Sequence, residues 1–251
     1  MLATFVMIPR IEIVELLGAN GFDAVVLDLE HGPLEVADLA GLSAAAQRSG
    51  MFAIARLASD DESTIARALD SGVDGVVVPH VGSAEAAAHV VSSGRFPPVG
   101  HRSLNPFVRG ARYGLGDEAG RDPANNRAAI IAMLEGADAL RNLDAICATV
   151  GLDALFVGPV DLSAALGVPG QPEHPTVVEA VQDVFRRLAT AGVAGGIYAH
   201  TPEAAYRWAA AGASLTALSA DIAMVAQGFA AMQASLRELG PVIPARANVE
   251  L

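Results

Sequence analysis

The stretch DALFVGPVDLSAAL, Asp153 to Leu166, decides the fold. Its first five residues, 153–157, form a short apolar run without the polar alternation of a half-exposed strand, the pattern of a strand buried on both faces in a parallel sheet. Gly158-Pro159 stops that run, and Val160 and Asp161 stand at a helix entrance ahead of LSAAL. A buried strand feeding directly into a helix is the repeating unit of α/β proteins.

Outward from this unit, the same pattern recurs along the chain. Strand-like runs lie at 4–8, 23–29, 52–57, 74–79, 129–134, 153–157, 195–199 and 214–219. Helical stretches follow them at 10–19, 35–48, 60–71, 83–93, 137–150, 175–191, 202–211 and 221–238. Ser83 ahead of Glu85 and the Thr201-Pro202 pair are helix starts, and Gly50, Gly72, Gly151, Gly192 and Gly212 stand where helices stop. Eight units in 251 residues predict one (β/α)₈ TIM barrel over 1–251, a fold that typically takes about 250 residues. An open doubly wound sheet normally has fewer strands and a glycine-rich phosphate turn, and no G-x-G-x-x-G follows any strand here. The long irregular segment 94–127, with five arginines from Arg95 to Arg121, reads as functional or as an assembly element. The tail 240–251 reads as loose.

All sixteen basic residues are arginine. Without lysine there is no Schiff-base catalysis, no pyridoxal phosphate attachment and no P-loop lysine. Twenty-eight acidic residues give a net charge of −12, which disfavours nucleic acid and membrane partners. An apolar content of 52% against 18% charged residues predicts a large core and subunit contacts, hence a homo-oligomer. Cys147 alone permits no intrachain disulfide, which suits a reducing cytoplasm. Residues 1–8 lack a basic n-region and are cut short by Pro9-Arg10, the pattern of neither a signal peptide nor a membrane span.

A barrel gathers its chemistry at the carboxyl ends of its strands. Polar residues there are Asp28, Glu30 and His31, then Arg56, His80, Glu135, the turn Gly158-Pro159-Val160-Asp161, His200, Ser219 and Asp221. Glu135 and Asp161 are nearly one unit apart and would project two carboxylates into one cavity, a donor set for Mg²⁺ or Mn²⁺ with the remaining positions left to water and substrate. An ordinary surface position for Glu135 and a helix cap for Asp161 are the plainer readings. His31 suits general-base work near neutral pH, or is simply a polar loop residue. Arg56 can neutralise a substrate carboxylate or a developing enolate, or pair with a neighbouring acid. The amides of Val160 and Asp161 suit a small anion. Cys147 lies in a helix away from the strand ends, and no hydrolase motif of the G-x-S-x-G or H-E-x-x-H type occurs.

Four stretches, FDAVVLDLEHGP, ARALDSGVDGVVVPHV, RFPPVGHRS with ARYG, and LFVGPVDLSAALG with PEHP, resemble the class II, metal-dependent pyruvate aldolases of the HpcH/HpaI family. The resemblance spans residues 4–238 and implies a barrel that assembles as a hexamer with its last helix swapped between subunits. It implies Glu135 and Asp161 as ligands of Mg²⁺, Mn²⁺ or Co²⁺, Arg56 at the C2 oxygen, and His31 in proton transfer. It further implies that Asp70 orients His31 of the adjoining subunit, that the amides of Gly158 to Asp161 hold the pyruvate carboxylate, and that Asp28 contacts the aldol hydroxyl. The reaction so implied joins pyruvate to an aldehyde, or cleaves a 4-hydroxy-2-oxo acid.

Some residues depart from the family pattern. Met133 stands where many relatives carry glutamine, Leu57 where proline is common, and His80 where several have an apolar residue. The family's short N-terminal helix has no counterpart before run 4–8, which sets an expectation that the natural start lies upstream. The rival readings are a citrate lyase-like or malyl-CoA lyase-like enzyme, an oxaloacetate decarboxylase, and a barrel that binds a small acid without turning it over.

Overall fold

A computed structural model describes residues 1–115 and 128–239; the rest of the 94–127 segment, including Arg121, and the tail 240–251 lie outside the described residues. Eight parallel strands close into a barrel in sequence order. They are β1 (Leu2–Val6), β2 (Ala24–Asp28), β3 (Phe52–Arg56), β4 (Gly75–Val78), β5 (Ala129–Leu134), β6 (Ala154–Val157), β7 (Ala194–Ala199) and β8 (Leu215–Ala220). Around them run α1 (Ile11–Ala19), α2 (Val36–Arg48), α3 (Glu62–Asp70), α4 (Ala84–Gly94), α5 (Ala137–Arg141), α6 (Leu143–Cys147), α7 (Pro159–Ala165), α8 (Pro175–Ala191), α9 (Pro202–Ala210) and α10 (Asp221–Glu238). The fold is the (β/α)₈ TIM barrel that the sequence predicts. No described helix is long and apolar enough to cross a membrane.

Strand residues alternate between two apolar layers because successive side chains point to opposite faces. One set, including Phe5, Val26, Ile54, Val77, Ile131, Met133 and Phe156, fills the barrel interior. The other, including Val6, Val25, Leu27, Ala55, Val76, Leu134 and Val157, packs outward against the helices. Gly196 makes the interior packing possible, since a Cβ there would stand 2.7 Å from the Phe156 ring. The described part of the 94–127 segment is pinned to the barrel by its arginines. Arg95 donates to Asp153 and to the Ala128 carbonyl, Arg102 to Asp70, and Arg109 to the carbonyls of Ser71 and Gly72.

Three local expectations shift. β1 starts two residues early and ends at Val6, because the amides of Met7 and Ile8 donate to the Asp221 carboxylate instead of the sheet ladder. The helix expected over 137–150 divides at Asn142, whose side chain donates to the Gly82 carbonyl. A short helix, α7, intervenes between β6 and α8; its cap is Gly158, and Asp161 lies inside its first turn.

The last helix departs from the pattern of the others. Of its residues only Asp221 is buried, while Ile222, Phe229, Met232 and Leu236 are exposed.

Candidate active site

Alternation along the strands fixes which end residues face inward. In β3, Ile54 points into the barrel, so Arg56 does too; in β2, Val26 does, so Asp28 does. Asp28 and Arg56 are also register partners across the β2–β3 ladder. Their side chains meet as a two-point pair, with Arg56 Nε 2.9 Å from Asp28 Oδ1 and Nη2 2.7 Å from Oδ2. Both residues are buried, and the guanidinium carbon sits 4.6 Å from the Phe5 ring centroid. Asp28 Oδ1 also accepts the amides of Glu30 and His31, at 3.1 and 3.3 Å. Asp28 thus holds Arg56 in place, while its Oδ2 accepts that single bond and the residue also stands at the cavity of the barrel mouth. An arginine carries five N–H donors, of which Asp28 takes two, leaving hydrogens on Nη1 and Nη2 for a ligand.

A second line of charges runs from Arg56 toward β5. Arg56 Nη1 lies 3.3 Å from Glu30 Oε2, the Glu30 Oε1 atom lies 3.7 Å from His80 Nε2, and His80 Nδ1 lies 2.8 Å from Glu135 Oε1. The His80 amide donates to the same Glu135 oxygen at 2.8 Å. His80 achieves both contacts by adopting a left-handed backbone, φ 59°, unusual for a residue with a side chain. Burial pushes the Glu30 carboxyl above its ordinary range; Arg56 and His31 pull it down, and the like charge of Glu135 pushes it up.

The barrel mouth opens as a cavity of about 310 Å³. Of the residues singled out in the sequence, Asp28, His31, Arg56, Gly158, Pro159, Val160 and Asp161 line it. Glu135 does not; it is buried behind the wall, where a Cβ on Gly158 would stand 3.3 Å from its Oε2. Gly158 thus keeps open the space between the Glu135 carboxylate and the turn that carries Asp161. The Asp161 carboxylate is exposed and makes no hydrogen bond or ion pair with a described residue. Both carboxylates are hard oxygen donors of the kind a Mg²⁺-class cation takes, that of Glu135 held by His80 and that of Asp161 unpaired at the cavity. Among the described residues no group of three or more metal-ligating side chains is assembled, so most of such an ion's shell would come from water and ligand.

Asp70 is elsewhere. It closes α3 five residues before β4 begins, at the amino-terminal end of the barrel, and its Oδ1 accepts Arg102 Nη2 at 2.5 Å. His31 follows the carboxyl end of β2, so one chain holds the two residues at opposite ends of the barrel. The His31 ring is exposed and bonds to no described residue.

Tyr198 and His200 also line the cavity. His200 is visible in the sequence at a strand end without standing out, and Tyr198 is hidden inside the run 195–199; its inward parity with Gly196 is the available signal. The Tyr198 ring lies edge-on to Phe5 at 5.7 Å and to His200 at 4.7 Å. Burial raises its phenol above the ordinary value, with Arg56 acting in the opposite sense, so the hydroxyl stays neutral at physiological pH.

A closed (β/α)₈ barrel with a clamped arginine, an unpaired histidine and the Asp161 carboxylate at its carboxyl-end cavity gathers its polar groups where barrels of this kind carry their sites. Residues 2–227 match the HpcH/HpaI aldolase/citrate lyase family, and the chain belongs to it. A 2-dehydro-3,6-dideoxy-6-sulfogluconate aldolase of Pseudomonas putida is 38% identical over 224 residues, covering 89% of this chain and 88% of that protein. A pyruvate aldolase of Rhizobium etli is 36% identical over 88% of this chain and 86% of its own. The crystal structure of an HpcH/HpaI aldolase from Desulfitobacterium hafniense superposes with a TM-score of 0.90 at 29% identity, covering 97% of this chain and 95% of that one.

Proposed function

We propose that this chain is a divalent-metal-dependent aldolase that joins a pyruvate-type donor to an aldehyde, and cleaves the resulting 4-hydroxy-2-oxo acid. The observation that carries this reading is the Asp28–Arg56 pair at the cavity wall, a fixed cation with donors to spare in a chain that has no lysine for a Schiff base. Kinship with proteins named as aldolases supports it.

In the direction of synthesis, the donor C3–H bond breaks, its proton passing to a water molecule at the open mouth, and the electron pair left behind develops as charge on the C2 oxygen. Arg56 meets that charge, and Asp28 holds the guanidinium so that no reorganisation is needed when it forms. A Mg²⁺, Mn²⁺ or Co²⁺ ion held by Glu135 and Asp161 would supply Lewis acidity at the donor's oxygens. The amides of Val160 and Asp161, at the head of α7, would meet the donor carboxylate, with Gly158 keeping the approach open. His31 transfers the proton at the C4 hydroxyl as the C3–C4 bond forms or breaks, its exposed ring being free to do so. Asp70 would orient that ring only across an interface, as the swapped last helix of a hexamer would allow; the exposed apolar residues of α10 support such an assembly.

The test is incubation with pyruvate, Mn²⁺ and a panel of aldehydes, and the reverse assay for pyruvate release. Aldol product that disappears with EDTA and returns with Mn²⁺ is the expected result. Glu135→Ala and Asp161→Ala should each abolish metal-dependent turnover with the circular dichroism spectrum unchanged. Full activity in either variant would refute its ligand role, and no aldol chemistry with any aldehyde would refute the whole reading.

A further inference from the structure

Two residues with side chains take a left-handed backbone at the carboxyl end of the barrel, His80 at φ 59° and Ser219 at φ 56°. For a residue with a Cβ that conformation is unfavourable, and it persists where the surroundings fix it, often at functional sites. His80 follows β4 by two residues. Its amide donates to Glu135 Oε1 at 2.8 Å, its ring Nδ1 lies 2.8 Å from the same oxygen, and Nε2 faces Glu30 Oε1 at 3.7 Å. The His80 side chain is 74% exposed and those of Glu135 and Glu30 are 7% and 11% exposed, so the ring roofs two buried carboxylates without being packed away itself. Apolar burial therefore does not offset the backbone strain; the contacts of its nitrogens do. Glu135 Oε1 is engaged from two sides, whereas Oε2 accepts no hydrogen bond from a described residue and faces the glycine turn, with a Cβ on Gly158 falling 3.3 Å from it.

Resting on the metal-dependent aldolase reading above, we propose that His80 is a positioning residue for the divalent cation, acting through Glu135: it engages Oε1 and so leaves Oε2 to the metal. The terminal torsion of a glutamate is broad, so an unrestrained Glu135 carboxylate would have to be ordered when the ion arrives. Residue 80 orders it beforehand, with one contact from the backbone and one from the ring, and groups that hold a ligand in this way sustain its affinity for the ion. The effect weighs more because no third metal-ligating side chain is assembled among the described residues, so the protein's share of the grip falls on Glu135 and Asp161. The contributions of ring and amide are separable. Glycine adopts a positive φ freely, so His80→Gly keeps the amide bond and loses the ring. Asparagine also tolerates a left-handed backbone, and its side-chain nitrogen is as many bonds from Cα as the histidine Nδ1, so His80→Asn keeps a donor at that point and loses Nε2.

The test is calorimetric titration of Mn²⁺ into the parent, His80→Gly, His80→Asn and Glu135→Ala, with circular dichroism and thermal melting as controls of folding. His80→Gly should bind Mn²⁺ about 10–100-fold more weakly than the parent with its fold intact, and His80→Asn should return to within about threefold of the parent. Rescue by asparagine is a result that a general packing role for the ring would not give. Electron paramagnetic resonance of the free Mn²⁺ should rank the four proteins in the same order. Loss of Mn²⁺ by Glu135→Ala with parent-like binding by His80→Gly would overturn the role of His80 while leaving the metal assignment standing. Equally weak binding by both folded His80 variants would overturn the Nδ1 contact as its source. Mn²⁺ bound as tightly by Glu135→Ala as by the parent, or not bound by the parent, would remove Glu135 as a ligand and the proposal with it.

Discussion

Carboxylates stand at both ends of this barrel, and they are employed differently. At the amino-terminal end Asp23, Asp74 and Asp153 each precede an even-numbered strand and reach sideways to the neighbouring odd one. They accept the amides of Leu2 at 2.7 Å, Ala53 at 2.8 Å and Ile130 at 2.6 Å, so that neutral backbone donors tie adjacent strands together. At the carboxyl end Asp28, Glu30 and Glu135 are gathered around Arg56 and His80, in a buried cluster of acids beside an open cavity. One end uses its acids to close the sheet. The other holds charge in reserve, an arrangement that costs stability and is characteristic of sites built for chemistry.

The sharpest way to break this contrast is at Arg56. Arg56→Lys keeps the charge but cannot grip Asp28 at two points or retain the fork of spare donors. It should lower kcat/KM for aldol addition by about 10²–10³, the range for losing one preorganised donor to a developing oxyanion. Activity within threefold of the parent would show that a point charge suffices and that the clamp is irrelevant. At the opposite end, Asp74→Ala removes the acceptor of the Ala53 amide and of the Gln47 side chain. It should cost about 1–3 kcal/mol in urea unfolding while leaving kcat/KM within twofold. A large loss of turnover at unchanged stability would erase the distinction between the ends.

The barrel was legible because its strands are buried on both faces and most of its helices on one, so a hydrophobic run marks every strand and a turn glycine closes several of the helices. Positions fixed by one strand's own alternation were legible too, and Arg56 and Asp28 follow from Ile54 and Val26 two residues earlier. What the sequence hid depends on contacts across the fold. The Glu30–His80–Glu135 line requires His80 to take a left-handed backbone, which nothing in Pro79-His80 announces. The grip of Asp28 on Arg56 is likewise a contact between residues 28 apart. Asp70 reads as a site residue only through kinship, since within one chain it pairs with Arg102 at the far end of the barrel.

A finer probe of the same contrast is Glu30→Gln. Burial raises the Glu30 carboxyl, so the folded protein holds that proton more tightly than the unfolded chain does, and ionising it works against folding. The cost is absent below the ordinary carboxyl value of 4.5, grows as pH climbs through the raised value, and is constant above it. A glutamine amide at this position cannot ionise. The variant should therefore match the parent in urea midpoint near pH 3.5 and exceed it by pH 8, the gain appearing across that interval. A lower midpoint at pH 8 would mean that attraction to Arg56 outweighs desolvation, and that the carboxyl-end acids stabilise the barrel as the amino-end ones do.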